Sequence, residues 1–196
     1  FAVADAAGFD GFHLIGHDWG SLVGWAAASR DTTRVLSWAS LAIPHPGAIP
    51  EPDAPPSTPA YVKVFRLPGV AEALLGAGGR WFMRNAMYST MPAAHVAEYD
   101  ALYAEPGALT AALNWYRAFD PSSGAPADVG PVKQPVLYVY GRRDIGAFVN
   151  QGVQSRMPAF VEGPFETAGL DAGHWLNQDE EETVHDYVME HMERNR

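Results

Sequence analysis

The stretch FHLIGHDWG, residues 12–20, decides the fold of this chain. Its first four residues are mostly apolar and are typical of a short buried strand, and residues 21–30 are small and helix-forming. Glycines at positions 16 and 20 flank the junction, where a sharp backbone turn favours residues without a Cβ. The pattern predicts a strand, a tight turn and a helix, with Asp18 at the tip of the turn.

The carboxylate of Asp18 determines the chemistry that this turn can perform. With an ordinary pKa of about 3.9 it is ionised at neutral pH, so it can attack a substrate without a base to activate it. Attack on a saturated carbon forms an ester that water can hydrolyse, whereas a serine would leave an inert ether. The turn therefore indicates substitution at an sp3 carbon, with an epoxide oxygen or a halide as the leaving group.

Composition sets broad limits on the class of protein. The chain has 196 residues, 47% of them hydrophobic, a formal net charge of −10 and no cysteine. These values predict one folded core, and the negative charge argues against nucleic acid and anionic membranes as partners. The absence of disulfides and of any membrane-spanning apolar run favours a soluble, cytoplasmic protein.

Strand and helix patterns alternate along the chain, which predicts an α/β fold with a mostly parallel sheet. Strands are predicted at residues 12–15, 35–43, 135–140 and 165–168, with a helix at 2–7 and another at 179–195 at the two ends. Proline-rich residues 44–59 and loop-forming residues 120–135 enclose a segment with helical patterns only, at 61–75, 80–87, 93–103 and 108–119. We therefore predict a core of residues 1–47 and 131–196 with a helical insertion at 48–130.

Two later residues are candidates to complete a catalytic triad with Asp18. Asp144 follows the strand predicted at 135–140, and His174 lies in a loop between the last strand and the terminal helix. The carboxyl ends of parallel strands are where α/β sheets build their sites, and a histidine held by an acid can activate water near neutral pH. Taken singly, Asp144 could equally be an ordinary turn residue, and His174 could be an ordinary loop residue. The order nucleophile, acid, histidine favours the catalytic interpretation.

Together these motifs resemble the α/β-hydrolase superfamily, and within it the epoxide hydrolase-like branch with an aspartate nucleophile. The elbow at 16–20, Arg143-Asp144 and Gly173-His174-Trp175 are similar to the three catalytic motifs of that branch. The resemblance implies an α/β-hydrolase fold whose helical cap is the insertion, and it implies no cofactor and no metal. Compared with that family the chain lacks the first strands of the sheet, including a His-Gly-x-Pro type loop. We expect a longer protein, or a second chain, to supply them.

The insertion carries a second set of motifs. Residues 61–72 (YVKVFRLPGVAE) and 113–117 (LNWYR) are similar to the segments in which epoxide hydrolases carry two ring-opening tyrosines, which implies that role for Tyr61 and Tyr116. Phenols with a pKa near 10 stay protonated at pH 7 and can hydrogen-bond the alkoxide that ring opening releases. Helical spacing alone favours a packing role for these tyrosines, and the local motifs reverse that preference.

Three further residues are assigned to oxyanion or substrate binding. The backbone amide of Trp19 is the identifiable oxyanion donor, Trp115 neighbours one of the two tyrosines, and His45 follows a predicted strand near the site, where a structural role is as plausible. His13 and His17 straddle a strand and a turn, so they do not form the one-face pair of a helical metal site.

The sequence therefore predicts an epoxide hydrolase that forms vicinal diols from a small, apolar epoxide, as a monomer or homodimer. The first alternative is a haloalkane dehalogenase with the same triad, in which the Trp19 indole and a second donor, Trp81 or Trp115, would hold the halide. The second alternative is a non-catalytic relative or an inactive fragment that binds ligands in the cap.

Overall fold

A computed structural model describes residues 1–49, 60–76, 81, 83–118, 129–144 and 152–196. The chain divides into two compact units, one of Phe1–Ala54 with Pro126–Arg196 and the other of Pro55–Ala125. The breaks predicted at 44–59 and 120–135 fall largely outside the described residues, as does the start of the helix predicted from residue 80.

The first unit is built on a parallel sheet. Its described strands lie in the order β1-β2-β3-β4 and all pair in parallel. They are β1 (Phe12–His17), β2 (Val35–Leu41), β3 (Val136–Gly141) and β4 (Phe165–Leu170). The predicted α/β class with a parallel sheet is confirmed, and each predicted strand is present with neither end shifted by more than two residues.

The described α-helices belong to both units, and the helix predicted at 80–87 is present in part as a π-helical turn at Met83–Met87. In chain order they are α1 (Ala2–Ala7), α2 (Trp19–Arg30), α3 (Ala60–Phe65), α4 (Val70–Leu75), α5 (Ala93–Ala104), α6 (Ala108–Ala118), α7 (Val153–Arg156), α8 (Leu176–Asp179) and α9 (Glu181–Arg194). Within these residues no helix is long and apolar enough to cross a membrane.

Apolar side chains cover both faces of the sheet, as expected for strands with period-two alternation. Trp38, Val136 and Tyr138 join Trp25 of α2 in one buried cluster. The intervening strand residues join a second cluster with α9, whose members include Ala39, Leu137, Val139, Val184 and Val188. Helices on both faces thus hold the strand ends in fixed register, which is what a site at one edge of the sheet requires.

The helix predicted at 61–75 is two helices, because Pro68 and Gly69 interrupt it. Proline has no amide hydrogen to donate, and Gly69 adopts a φ of 77°, which favours glycine. The carboxylate of Glu72 accepts a hydrogen bond from the Gly69 amide at 2.8 Å and so caps the second helix, α4. The predicted terminal helix is present as α9, which begins at Glu181, and a short helix that was not predicted, α8, precedes it.

Candidate active site

The carboxyl ends of three parallel strands bring Asp18, Asp144 and His174 together. Asp18 directly follows β1, Asp144 follows β3, and His174 follows β4. The Nδ1 atom of His174 lies 2.8 Å from the Oδ2 atom of Asp144, and its Nε2 atom lies 3.8 Å from the Oδ2 atom of Asp18. Both imidazole nitrogens therefore face a carboxylate, one at hydrogen-bonding distance and one slightly beyond it.

Backbone strain and close packing project Asp18 from the turn between β1 and α2. Asp18 has a φ of 51° and a ψ of −120°, a conformation that residues other than glycine rarely adopt. A Cβ at Gly16 would lie 2.5 Å from the carbonyl oxygen of Gly20, so this first flanking glycine is required by space. A Cβ at Gly20 would meet nothing within 4 Å, so the second is not. The Ser21 hydroxyl donates a hydrogen bond to the carbonyl of Gly16 at 2.7 Å, which fixes the backbone of the turn.

The loops that carry Asp144 and His174 are joined through their backbones. The amide of Arg142 donates to the carbonyl of Leu170 at 2.8 Å, and that of Arg143 donates to the carbonyl of Ala172 at 2.9 Å. A Cβ added at Gly141 would lie 2.0 Å from the carbonyl oxygen of Gly173. The two loops are thus in contact without an intervening side chain, which sets the distance between the acid and the histidine.

Electrostatic interactions favour a charged histidine between two carboxylates. Burial opposes charge on His174, but the hydrogen bond with Asp144 and the nearby Asp18 outweigh it and raise the pKa of His174 to about 10. Burial also opposes charge on Asp18, but the contact with His174 outweighs it and holds the pKa of Asp18 below its usual value. At neutral pH the arrangement is an ionised nucleophile beside an imidazolium.

The second unit brings Tyr61 and Tyr116 together. Tyr61 lies on α3 and Tyr116 on α6, with their ring centroids 6.3 Å apart, and both rings contact Phe65 edge-on. An ion pair between Arg117 and Glu72, at 2.8 Å, joins α6 to α4 beside this cluster. The two tyrosines selected from the sequence are therefore neighbours, held by ring packing and by a charged contact between adjacent helices.

The remaining candidates differ in their surroundings. Trp19 begins α2 directly after the nucleophile, whereas the side chains of Trp115 and Trp81 are both largely exposed. His45 lies in the core and not on the site surface. Its ring is completely buried against Phe160, with Nδ1 accepting from the Gly47 amide at 3.1 Å and Nε2 lying 3.3 Å from the Gly130 carbonyl. Both ring nitrogens are occupied, so we assign His45 a structural role. Among the described residues, no group of three or more histidine and carboxylate side chains could hold a metal ion.

Comparisons with known proteins identify the family of this chain. The profile of the family described as "alpha/beta hydrolase fold" matches residues 2–119. The chain belongs to the alpha/beta hydrolase fold family. Its recognition from sequence as an epoxide hydrolase-like member of that superfamily is confirmed by its relatives.

The relatives of this α/β-hydrolase include proteins named as epoxide hydrolases. The chain is 30% identical to AB hydrolase superfamily protein YfhM of Bacillus subtilis, an alignment that covers 91% of this chain and 65% of the relative. It is 27% identical to Epoxide hydrolase A of Mycobacterium tuberculosis, over 84% of this chain and 63% of the relative. The chain thus spans slightly less than two thirds of the length of these relatives.

A solved structure, that of Epoxide Hydrolase A from Mycobacterium thermoresistibile, has the same fold. It superposes with a TM-score of 0.75 at 23% identity, over 97% of this chain and 72% of the other.

The sequence did not single out one residue of this site, His17. It lies between the elbow glycine and the nucleophile, and the sequence argued only against its pairing with His13 in a metal site. In the structure His13 instead contacts the hydroxyl of Ser37 at 2.8 Å, while the Nε2 atom of His17 lies 2.9 Å from the carbonyl oxygen of His174. The position of His17 next to Asp18 in the motif was the one sign in the sequence that it belongs to the site. Its partner, His174, is 157 positions away in sequence, and only the fold identifies it.

Proposed function

We propose that this α/β-hydrolase converts epoxides to vicinal diols through an ester on Asp18. One observation carries the proposal, namely that a carboxylate occupies the tip of the elbow, 3.8 Å from a histidine that a second carboxylate holds. Such a nucleophile forms an ester with a saturated carbon, and the histidine is placed to activate the water that hydrolyses it. Relatives named as epoxide hydrolases support the same chemistry.

In the first step the carboxylate of Asp18 attacks one carbon of the epoxide. A carbon–oxygen bond forms to Asp18 as the ring carbon–oxygen bond breaks, and the electron pair of that bond passes to the epoxide oxygen. The resemblance of their motifs to those of epoxide hydrolases assigns the hydroxyls of Tyr61 and Tyr116 as hydrogen-bond donors to this oxygen, one of which supplies its proton. The product is a neutral alkyl ester of Asp18.

In the second step water hydrolyses this ester. Once Asp18 is esterified, the imidazolium of His174 has lost one of its two anionic neighbours, so its pKa falls and its proton can leave to re-form the tyrosine hydroxyl. Neutral His174 then removes a proton from water, which attacks the ester carbonyl, and Asp144 stabilises the returning imidazolium. The Trp19 amide, at the start of α2, donates to the oxyanion that forms. Collapse releases the diol and restores the carboxylate.

Haloalkane dehalogenation uses the same triad and is the competing proposal. It would need N–H donors for the halide, for which the Trp19 indole and either Trp115 or Trp81 are candidates. Two neighbouring phenols favour the epoxide, because a hydroxyl can give its proton to an alkoxide, whereas a halide needs no proton. A non-catalytic relative that binds a ligand is the remaining alternative.

Incubation of the protein with styrene oxide and with 1-bromobutane separates these alternatives. An epoxide hydrolase yields diol from the first, a dehalogenase yields bromide from the second, and a non-catalytic protein yields neither. The His174→Gln variant should form the ester without hydrolysing it, so intact-protein mass spectrometry after styrene oxide should show one added substrate mass. Peptide mapping should place the adduct on Asp18, and Asp18→Ala should show none. An adduct elsewhere, or no adduct when the wild type turns over, would refute the assigned nucleophile.

Cytoplasmic location, the monomeric or homodimeric state, the domain boundaries and the apolar character of the substrate remain predictions from sequence.

A further inference from the structure

We propose that His17 is a positioning residue that holds the backbone of His174 in register with the nucleophile, an inference that rests on the proposed function. His17 is the residue before Asp18, and its imidazole contacts the loop that carries the catalytic base. The ring lies 5.0 Å from the ring of His174 and 5.4 Å from that of Trp175, measured between centroids.

The hydrogen bond between these two histidines has only one possible direction. A backbone carbonyl can only accept, so the Nε2 atom of His17 carries the hydrogen and donates it to the oxygen of His174 at 2.9 Å. Burial lowers the pKa of His17, and the neighbouring charge of His174 lowers it further. The ring is therefore neutral at pH 7 and can donate this bond without placing a second positive charge beside His174.

This bond complements the one made by Asp144. Asp144 holds the ring of His174 at Nδ1, whereas His17 holds its main chain. The strained turn fixes the backbone of Asp18, and the side chain of the neighbouring His17 connects this turn to the loop that carries His174. A side chain that takes no part in the chemistry thereby links the turn of the nucleophile to the loop of the base.

The ester hydrolysis step depends most on this link. Alkylation needs Asp18, which the turn holds independently, but hydrolysis needs His174 to meet a water at the ester carbonyl. Because a displacement of about 1 Å can slow a catalysed step about 100-fold, loss of the bond should affect hydrolysis far more than alkylation.

Two amide substitutions of His17 test the inference. The amide nitrogen of glutamine reaches nearly as far as Nε2 of histidine, whereas that of asparagine reaches only as far as Nδ1. His17→Gln should keep the bond and His17→Asn should lose it, and His185→Gln on the exposed face of α9 serves as the control. In single-turnover reactions with styrene oxide, His17→Asn should hydrolyse the ester about 10- to 100-fold more slowly while forming it at nearly the wild-type rate.

His17→Gln should hydrolyse the ester at a rate within about threefold of the wild-type rate. The inference is overturned if His17→Asn hydrolyses the ester at the wild-type rate, or if His17→Gln is as slow as His17→Asn.

Hydrogen exchange measured without substrate separates this inference from the proposed function. Amides at residues 171–176 should exchange faster in His17→Asn than in the wild type, and at the wild-type rate in His17→Gln. If the wild type forms no ester, the proposed function fails, and the exchange rates alone decide whether His17 holds the loop. Equal exchange in all variants overturns the positioning role.

Discussion

Substitution of Gly141 by alanine should disturb the site without changing any reacting group. The new Cβ would lie 2.0 Å from the carbonyl oxygen of Gly173 and 2.5 Å from that of Ala172, where real Cβ contacts essentially never fall below 3.0 Å. Both obstacles are backbone, so the His174 loop must move by about 1 Å, at a typical overpacking cost of about 1–3 kcal/mol. A shift of this size between base and ester should slow turnover about 100-fold.

The assay combines thermal unfolding with turnover of styrene oxide. The melting temperature should fall by about 2–12 °C, given the cost above and the size of the chain. Gly130→Ala is the matched control, because a Cβ at Gly130 would meet nothing within 4 Å, so both measurements should stay at the wild-type level. Wild-type turnover and melting temperature in Gly141→Ala would show that the loops tolerate the methyl group, and the argument that their contact sets the triad would be wrong.

Three further predictions concern the tyrosines and the charge on the histidine. Tyr61→Phe or Tyr116→Phe should each slow ester formation from styrene oxide by about 100-fold in stopped-flow measurements, since each removes one oxyanion donor. A double variant that forms the ester at the wild-type rate would favour dehalogenation. The pKa of His174 is raised to about 10 from an unfolded value near 6.5, so its contribution to stability is complete below about pH 6.5 and is lost as the pH rises towards 10. Asp18→Asn removes one flanking charge, as the ester does, and should lower the pKa of His174 in an NMR titration; an unchanged value would mean that Asp144 alone holds the proton.

Local signals were sufficient for most of the secondary structure. The strands were predictable because apolar β-forming residues alternate with loop signals, and α2 because small residues follow the elbow. The helix at 61–75 was predicted as continuous because its apolar spacing outweighed Pro68 and Gly69, yet a missing amide and a positive φ divide it. Local backbone geometry prevailed there over hydrophobic periodicity.

The environment of a side chain was much less predictable than its chain position. His45 sits between two prolines after a strand, a position equally suited to a pocket or to the core. The ring of His45 packs against Trp25 and Phe160 in the core, where its two nitrogens bond to backbone groups. No local pattern in the sequence records such contacts, because the partners come from distant segments.

The parallel α/β core and the identity of the candidate triad were predictable from sequence, because residue type, turn chemistry and chain order are local properties. How these groups act on one another depends on the tertiary structure. The distance from His174 to each carboxylate, its raised pKa and the link from His17 arise where three strand ends meet. The physical reason is that electrostatic and hydrogen-bond energies depend on separations of a few ångströms between residues far apart in sequence, and packing of the sheet fixes those separations.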